Sequence, residues 1–113
     1  MKAKPTVHII MATYNGEDYL EEQLESLLCQ TYPHITLEIC DDGSCDRTLE
    51  IIGEYQGKYS NVTLHQNPEN KGYVLNFLEG IRRSKADYIM LCDQDDIWNR
   101  DKVEITLKRM LEM

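Results

Sequence analysis

Three carboxylates, Asp93, Asp95 and Asp96, fall within four consecutive positions, directly after the apolar run Tyr88-Ile89-Met90-Leu91-Cys92. Like charges this close repel, so the cluster is costly unless a cation or a bound partner uses it. The apolar run reads as a strand buried on both faces, which puts the acids at its C-terminal end. In open α/β sheets that edge is where ligands bind. Hard divalent cations such as Mg²⁺ take oxygen ligands, commonly one or two carboxylates together with substrate phosphates. Alternate residues of an extended segment point the same way, so Asp93 and Asp95 can share one ion. Asp96 is placed to cap the following turn, and Trp98 to pack beneath the loop. The chemistry indicated is a metal site for a phosphate-bearing ligand; a solvated acidic turn is the bland alternative.

Other polar clusters need the elements before they can be placed. Residues 7–12 form a short apolar strand. Residues 17–30 read as a helix, with Leu20, Leu24, Leu27 and Leu28 at helical spacing and acids Glu17, Asp18, Glu21 and Glu22 in its first turns. Residues 36–40 form a second strand, 46–59 a helix with Thr48, Ile52, Tyr55 and Tyr59 on one stripe, and 62–65 a third strand. Residues 67–72 are a loop rich in turn formers. A third helix is expected over 73–84, with Val74, Phe77, Leu78 and Ile81 inward. The fourth strand is Tyr88–Cys92, and a last helix covers 101–111 with Val103, Leu107, Met110 and Leu111. Strict β-α alternation implies a mainly parallel open sheet with helices on both faces and right-handed crossovers.

Parallel strands bring four polar clusters to one rim: Thr13-Tyr14-Asn15-Gly16, Asp41-Asp42-Gly43-Ser44, His65-Gln66-Asn67 and Asp93-Gln94-Asp95-Asp96. A carboxylate after the second strand can accept from a base N–H or a ribose hydroxyl. Equally, Asp41-Asp42-Gly43-Ser44 can be a turn with Asp as local capper. Tyr14 can stack on a planar base, whereas Asn15-Gly16 is a common turn pair. Lys71 can offset diphosphate charge or sit solvated.

Bulk properties narrow the classes. The 113 residues suit a single domain, with 42% hydrophobic and 28% charged residues as in ordinary globular proteins. A net charge of -8 without a basic stripe argues against a nucleic-acid partner. The four cysteines, Cys29, Cys40, Cys45 and Cys92, form no Cys-x-x-Cys pair, and the three histidines match no ligand spacing, so reduced cysteines and structural histidines are expected. No apolar stretch approaches the ~20 residues of a membrane span. The N-terminus lacks a signal-peptide pattern, so a cytoplasmic location is expected.

In order, the stretches Ile9-Ile10-Met11-Ala12-Thr13-Tyr14-Asn15-Gly16, Gln30-Thr31-Tyr32, Cys40-Asp41-Asp42-Gly43-Ser44, Asn70-Lys71-Gly72 with Asn76, and residues 88–98 resemble the family 2 glycosyltransferases of the GT-A fold. The resemblance covers nearly the whole chain. It implies a Rossmann-like α/β fold of the nucleotide-diphospho-sugar transferase type and transfer of a sugar from a nucleotide diphosphate, with inversion. By position it implies a nucleotide-sugar-binding set of Ala12, Thr13, Tyr14, Asn15, Asp42, Lys71 and Asp93. Ala12 and Tyr14 would flank the base, and Asp42 would accept from its imide N–H. The family's Asp-x-Asp motif falls on Asp93 and Asp95. Asp95 would bind Mg²⁺ or Mn²⁺, and Asp93 would contact the ribose or the metal. The Asp-Gln-Asp-Asp-Ile-Trp wording looks like the rhamnosyltransferase-like branch, which points to a UDP- or dTDP-sugar donor.

Family members continue well past this motif, and the later half supplies the acceptor site and the general base. The expectation is therefore a truncated GT-A fold, residues 1–113 being one domain, the donor-binding half. It holds no catalytic base, the base lying beyond Met113, and transfers little or nothing alone. A non-catalytic nucleotide-binding fragment is the alternative. The family also implies a glycan acceptor, cell-envelope polysaccharide assembly and peripheral association of the full enzyme with the inner membrane face. An unpaired sheet edge in such a fragment would favour self-association. A haloacid-dehalogenase-type phosphohydrolase needs catalytic segments for which too little chain remains. A phosphoacceptor receiver domain needs an acid pair after the first strand, where Ala12-Thr13-Tyr14 stands.

Overall fold

The computed structural model describes residues 5–93 and 96–112. Gln94 and Asp95 lie outside them. The elements are β1 (Val7–Thr13), α1 (Leu20–Leu28), β2 (Ile35–Asp41), α2 (Thr48–Lys58), β3 (Val62–Gln66), α3 (Tyr73–Arg83), β4 (Tyr88–Cys92) and α4 (Lys102–Leu111). The alternation expected from the sequence is present. α1 starts later than its acidic lead-in suggests, because the Tyr19 and Leu20 N–H groups both turn back to the Gly16 carbonyl.

The strand order is β3-β2-β1-β4, and every pairing is parallel. The chain steps outward from β1 through β2 to β3, then returns to the other side of β1. With right-handed crossovers, that reversal carries α3 to the opposite face from α1 and α2. It also opens a crevice at the C-terminal ends of β1 and β4, the switch point of an open α/β sheet.

Strand alternation sorts the core into two layers. Val7, Ile9, Met11, Leu37 and Ile39 pack with Leu20, Leu24 and Leu27 of α1, Ile51, Ile52 and Tyr55 of α2, and Val103 and Leu107 of α4. Ile10, Ala12 and Cys40 face the other way, onto Phe77 of α3. Trp98 is buried as expected, with the Lys102 ammonium 4.8 Å from its ring centroid. The four cysteines are free thiols, Cys40 and Cys92 buried and Cys29 and Cys45 exposed. Among the described residues no helix is long and apolar enough to cross a membrane.

α3 is seated differently from its apolar pattern. Phe77 points inward, but Val74, Leu78 and Ile81 are 57%, 47% and 37% exposed. The seated face is Asn76, Phe77 and Gly80. A Cβ on Gly80 would stand 3.0 Å from Ile10 Cγ2, so the missing side chain is what lets the helix descend onto β1. Close approach, not the widest apolar stripe, sets the rotation.

The far end of α3 is fastened by charge. Arg83 donates to buried Glu38 from Nη2 at 2.5 Å and Nε at 3.0 Å, and His8 Nε2 lies 3.0 Å from the other carboxylate oxygen. Burial opposes the Glu38 charge, but bonds from Arg83, His8 and Cys40 outweigh it and hold the carboxyl below its ordinary range.

A bulkier side chain at position 80 must lift α3 from the sheet or displace Ile10. Gly80→Val is expected to lower unfolding free energy by about 1–3 kcal/mol in denaturant titrations, the usual cost of overpacking a filled core. An unchanged midpoint would refute the close seating.

Candidate functional site

At the C-terminal rim the strand ends enclose a cleft of about 500 Å³, lined by Ala12, Thr13, Tyr14, Asp42, Asn70, Gly72, Asn76 and Asp93. Of the residues expected from the sequence, Ala12, Thr13, Tyr14, Asp42 and Asp93 meet here. Asn15 and Lys71 do not line it, and Asp95 falls outside the described residues.

Asp42 is the organising group. It is 5% exposed, so its charge needs donors. Oδ1 accepts from the Lys71 N–H at 2.7 Å and from Asn67 Nδ2 at 3.0 Å, and Oδ2 accepts from the Gly72 N–H at 2.9 Å. Burial alone would push the carboxyl up. The bonds from Lys71, Asn67 and Gly72 outweigh it and hold Asp42 ionised below the ordinary carboxylate range. Gly72 reaches this position at φ +81°, a left-handed backbone that glycine adopts without a Cβ clash.

The neighbouring acid does something else. Asp41, 1% exposed, accepts from Thr13 Oγ1 at 2.7 Å, Ser44 Oγ at 2.6 Å and the Ser44 N–H at 2.9 Å. It builds the turn after β2 and ties it to β1. Asp41 thus takes the turn-capping role open to Asp-Asp-Gly-Ser, while Asp42 lines the cleft. Thr13 lines the cleft with its hydroxyl committed to Asp41.

Asn15 is a clasp between loops. Its N–H donates to Ser44 Oγ at 2.9 Å, and its Oδ1 accepts from the Cys45 N–H at 2.8 Å. Its φ of 48° is left-handed, which asparagine tolerates better than most residues. Lys71 enters the site through its main chain. Its ammonium turns away to Glu79, at 2.5 and 2.9 Å.

Asp93 directly follows β4 on the opposite side of the crevice, exposed. Its carbonyl accepts from the Asp96 N–H at 3.2 Å and from buried Gln23 Nε2 at 2.6 Å. Among the described residues no hydrogen bond or ion pair engages its carboxylate, and no group of three or more metal-ligating side chains comes together. An exposed carboxylate on a cleft suits a hard cation that completes its shell with ligand oxygens.

The nucleotide-sugar-binding set expected from the sequence did not include Gln23, Asn67, Asn70, Gly72 or Asn76, although Asn67 was placed on the rim and Asn70, Gly72 and Asn76 lie in the stretches that resemble the family. Gln23 carried a signal in its place beside Leu20 and Leu24 on the apolar stripe of α1, where the structure buries it fully. Asn76 carried a similar one beside Phe77.

The model of glycosyl transferase family 2 matches residues 8–113. The chain belongs to that family. This family 2 glycosyltransferase chain is 41% identical over 99 residues to the dTDP-rhamnosyl transferase RfbG of Shigella flexneri, covering 83% of the chain and 34% of RfbG. The crystal structure of S. aureus TarS 1-349 in complex with UDP superposes with a TM-score of 0.86 at 27% identity, over 95% of the chain and 32% of TarS. The mannosyltransferase PcManGT of Pyrobaculum calidifontis, solved with GDP-Man and Mn²⁺, shares the fold at a TM-score of 0.86 and 24% identity, over 94% of the chain and 32% of its own. The GT-A fold expected from the sequence is thus present. The chain spans about 43% of the length of curated relatives it matches.

A carboxylate whose folded value lies below its unfolded one contributes stability above the unfolded value, and loses it as pH falls through the folded one. Stability of the glycosyltransferase chain should thus fall as pH drops below the ordinary carboxylate range. In Asp42→Asn it should be lower at neutral pH and decline less steeply in acid. Denaturant midpoints measured over a pH series test this; parallel slopes would show that Asp42 is not held ionised by its donors.

Proposed function

We propose that these residues form the donor-binding part of an enzyme that transfers a sugar from a nucleoside diphosphate to a glycan hydroxyl, with inversion and with a divalent cation. The observation that carries this reading is the switch-point cleft bounded by two carboxylates of different character, one buried and held ionised, the other exposed. In this reading Asp42 accepts an N–H from the base, while Ala12 and Tyr14 flank it. Tyr14 is 48% exposed on the cleft, enough to offer a ring face to a planar base.

Asp93, with Asp95 two residues on, would hold Mg²⁺ or Mn²⁺ over the diphosphate. The bound cation supplies Lewis-acid stabilisation of the charge that grows on the leaving diphosphate. Gln23 fixes the main chain at Asp93 and so aims its carboxylate. The PcManGT complex with Mn²⁺ and the TarS complex with UDP support a donor of this class. The relative that transfers rhamnose from dTDP makes UDP and dTDP the first bases to try. An attacking hydroxyl needs a general base. We assign none to these residues and place it in the part of the longer relatives that the chain does not span. That short span also favours a second reading, a nucleotide-binding segment with no transfer of its own.

Isothermal titration of UDP, dTDP and GDP, with and without Mn²⁺, decides the matter. One nucleoside diphosphate is expected to bind in the presence of the ion, and Asp95→Ala to weaken that binding at least about tenfold, the scale for losing a ligand carboxylate. Binding indifferent to both ion and substitution would refute the metal site. Sugar transfer by the chain itself would exclude the second reading.

A further inference from the structure

We infer that Asn67 and Asn76 are positioning residues that hold Asp42 with one acceptor position of Oδ2 left for the ligand, and thereby make it select bases that offer an N–H there. The inference rests on the reading of the cleft as a nucleotide site.

The orientation of both amides follows from hydrogen-bond chemistry. Asn76 Nδ2 lies 2.7 Å from the Cys40 carbonyl oxygen. A carbonyl only accepts, so the amino group of Asn76 must face it. Asn76 Oδ1 then faces Asn67 Nδ2 at 2.8 Å and accepts from it. The second hydrogen of Asn67 Nδ2 goes to Asp42 Oδ1 at 3.0 Å. A chain of three bonds thus runs from the β2 main chain, through α3 and the end of β3, back to the carboxylate after β2. Asn76 and Asn67 are 1% and 4% exposed, so water does not substitute freely for either.

Asn67 Oδ1 is buried and finds no hydrogen-bond partner among the described residues. Burying an unpaired acceptor costs free energy. Turning the amide over would set its oxygen against two oxygens, Asn76 Oδ1 and Asp42 Oδ1. The fold keeps the unpaired carbonyl and gains two donors aimed as a pair.

The consequence falls on Asp42. With Asn67 and Lys71 on Oδ1, that oxygen is filled. Among the described residues Oδ2 carries the Gly72 N–H alone and keeps room for one more donor. An ionised carboxylate accepts and cannot donate. Uracil and thymine present N3–H, and guanine presents N1–H. Cytosine N3 and adenine N1 are themselves acceptors and would be repelled. Without Asn67 the carboxylate can turn, and the distinction weakens.

The test is titration of UDP and CDP, with Mn²⁺, into the chain, Asn67→Ala, Asp42→Ala and the double variant, each checked for a cooperative melt. Asn76→Ser serves as the second probe if Asn67→Ala does not fold. The unaltered chain should prefer UDP over CDP. Asn67→Ala should weaken UDP about tenfold, as for residues in one hydrogen-bond network, and narrow the preference. On the Asp42→Ala background the same substitution should change UDP affinity less than about twofold, since Asn67 acts through Asp42. Equal weakening of UDP and CDP, or the same loss on both backgrounds, would reduce the amide pair to a fold support and overturn the inference. Unchanged UDP binding in Asp42→Ala would instead sink the base-contact reading itself, and no binding by the unaltered chain would sink both.

Discussion

A carboxylate that is nearly excluded from water and still ionised constrains everything around it. Asp42 keeps its charge only because three donors reach it, two from the 71–72 main chain and one from Asn67. Those donors sit after β3 and before α3, and they can converge on the end of β2 only if the chain turns back across the sheet there. That return is also what opens the crevice between β1 and β4. The crossover that makes a ligand site and the crossover that satisfies a buried charge are one and the same.

The position of α3 follows from this. Its N-terminal end is held by the Asp42 cradle, its middle by the bare glycine on Ile10, and its C-terminal end by Arg83 on Glu38. With Glu38 largely buried and Arg83 partly exposed, the pair adds little net stability, but removing Arg83 would leave a mostly buried carboxylate with fewer donors. Arg83–Glu38 is therefore better understood as fixing where the helix lies. Sub-ångström placement matters here, because the helix sets Asn76 and the loop before it sets the direction of an acceptor.

Parallel pairing and the shared rim were legible in the sequence because continuous apolar runs and period-3.6 stripes report burial directly, whereas the strand order β3-β2-β1-β4 came only from the structure. The rotation of α3 was not. Its broad apolar stripe through Val74, Leu78 and Ile81 outweighs one glycine in any periodicity, although the glycine decides the contact. Asp41 and Asp42 could not be assigned separate tasks from the residue pattern, since an Asp-Asp-Gly-Ser stretch suits a turn and a ligand rim equally; only the family resemblance singled out Asp42. Asn67 on the rim and Asn76 in the family stretch were visible in the sequence, but their pairing was not. Their partners lie up to 36 residues away, and local patterning carries no information about an amide that bridges three elements.

Charge makes the last connection. The chain carries a net charge of -8, and on the proposed reading its ligand is a diphosphate anion. The cation nearest by sequence, Lys71, spends its ammonium on Glu79. Asp93 adds a further negative charge to the cleft wall. Such a rim repels phosphate, and hydrogen bonds from neutral groups do not reverse the sign of a field. On the proposed reading, a divalent ion held by Asp93 and Asp95 would offset their charge locally and present its own positive charge to the diphosphate. The same two carboxylates that would forbid a bare diphosphate would admit its metal complex, so on this reading the acidic cluster would select for the metal-bound donor before any contact with base or sugar is made.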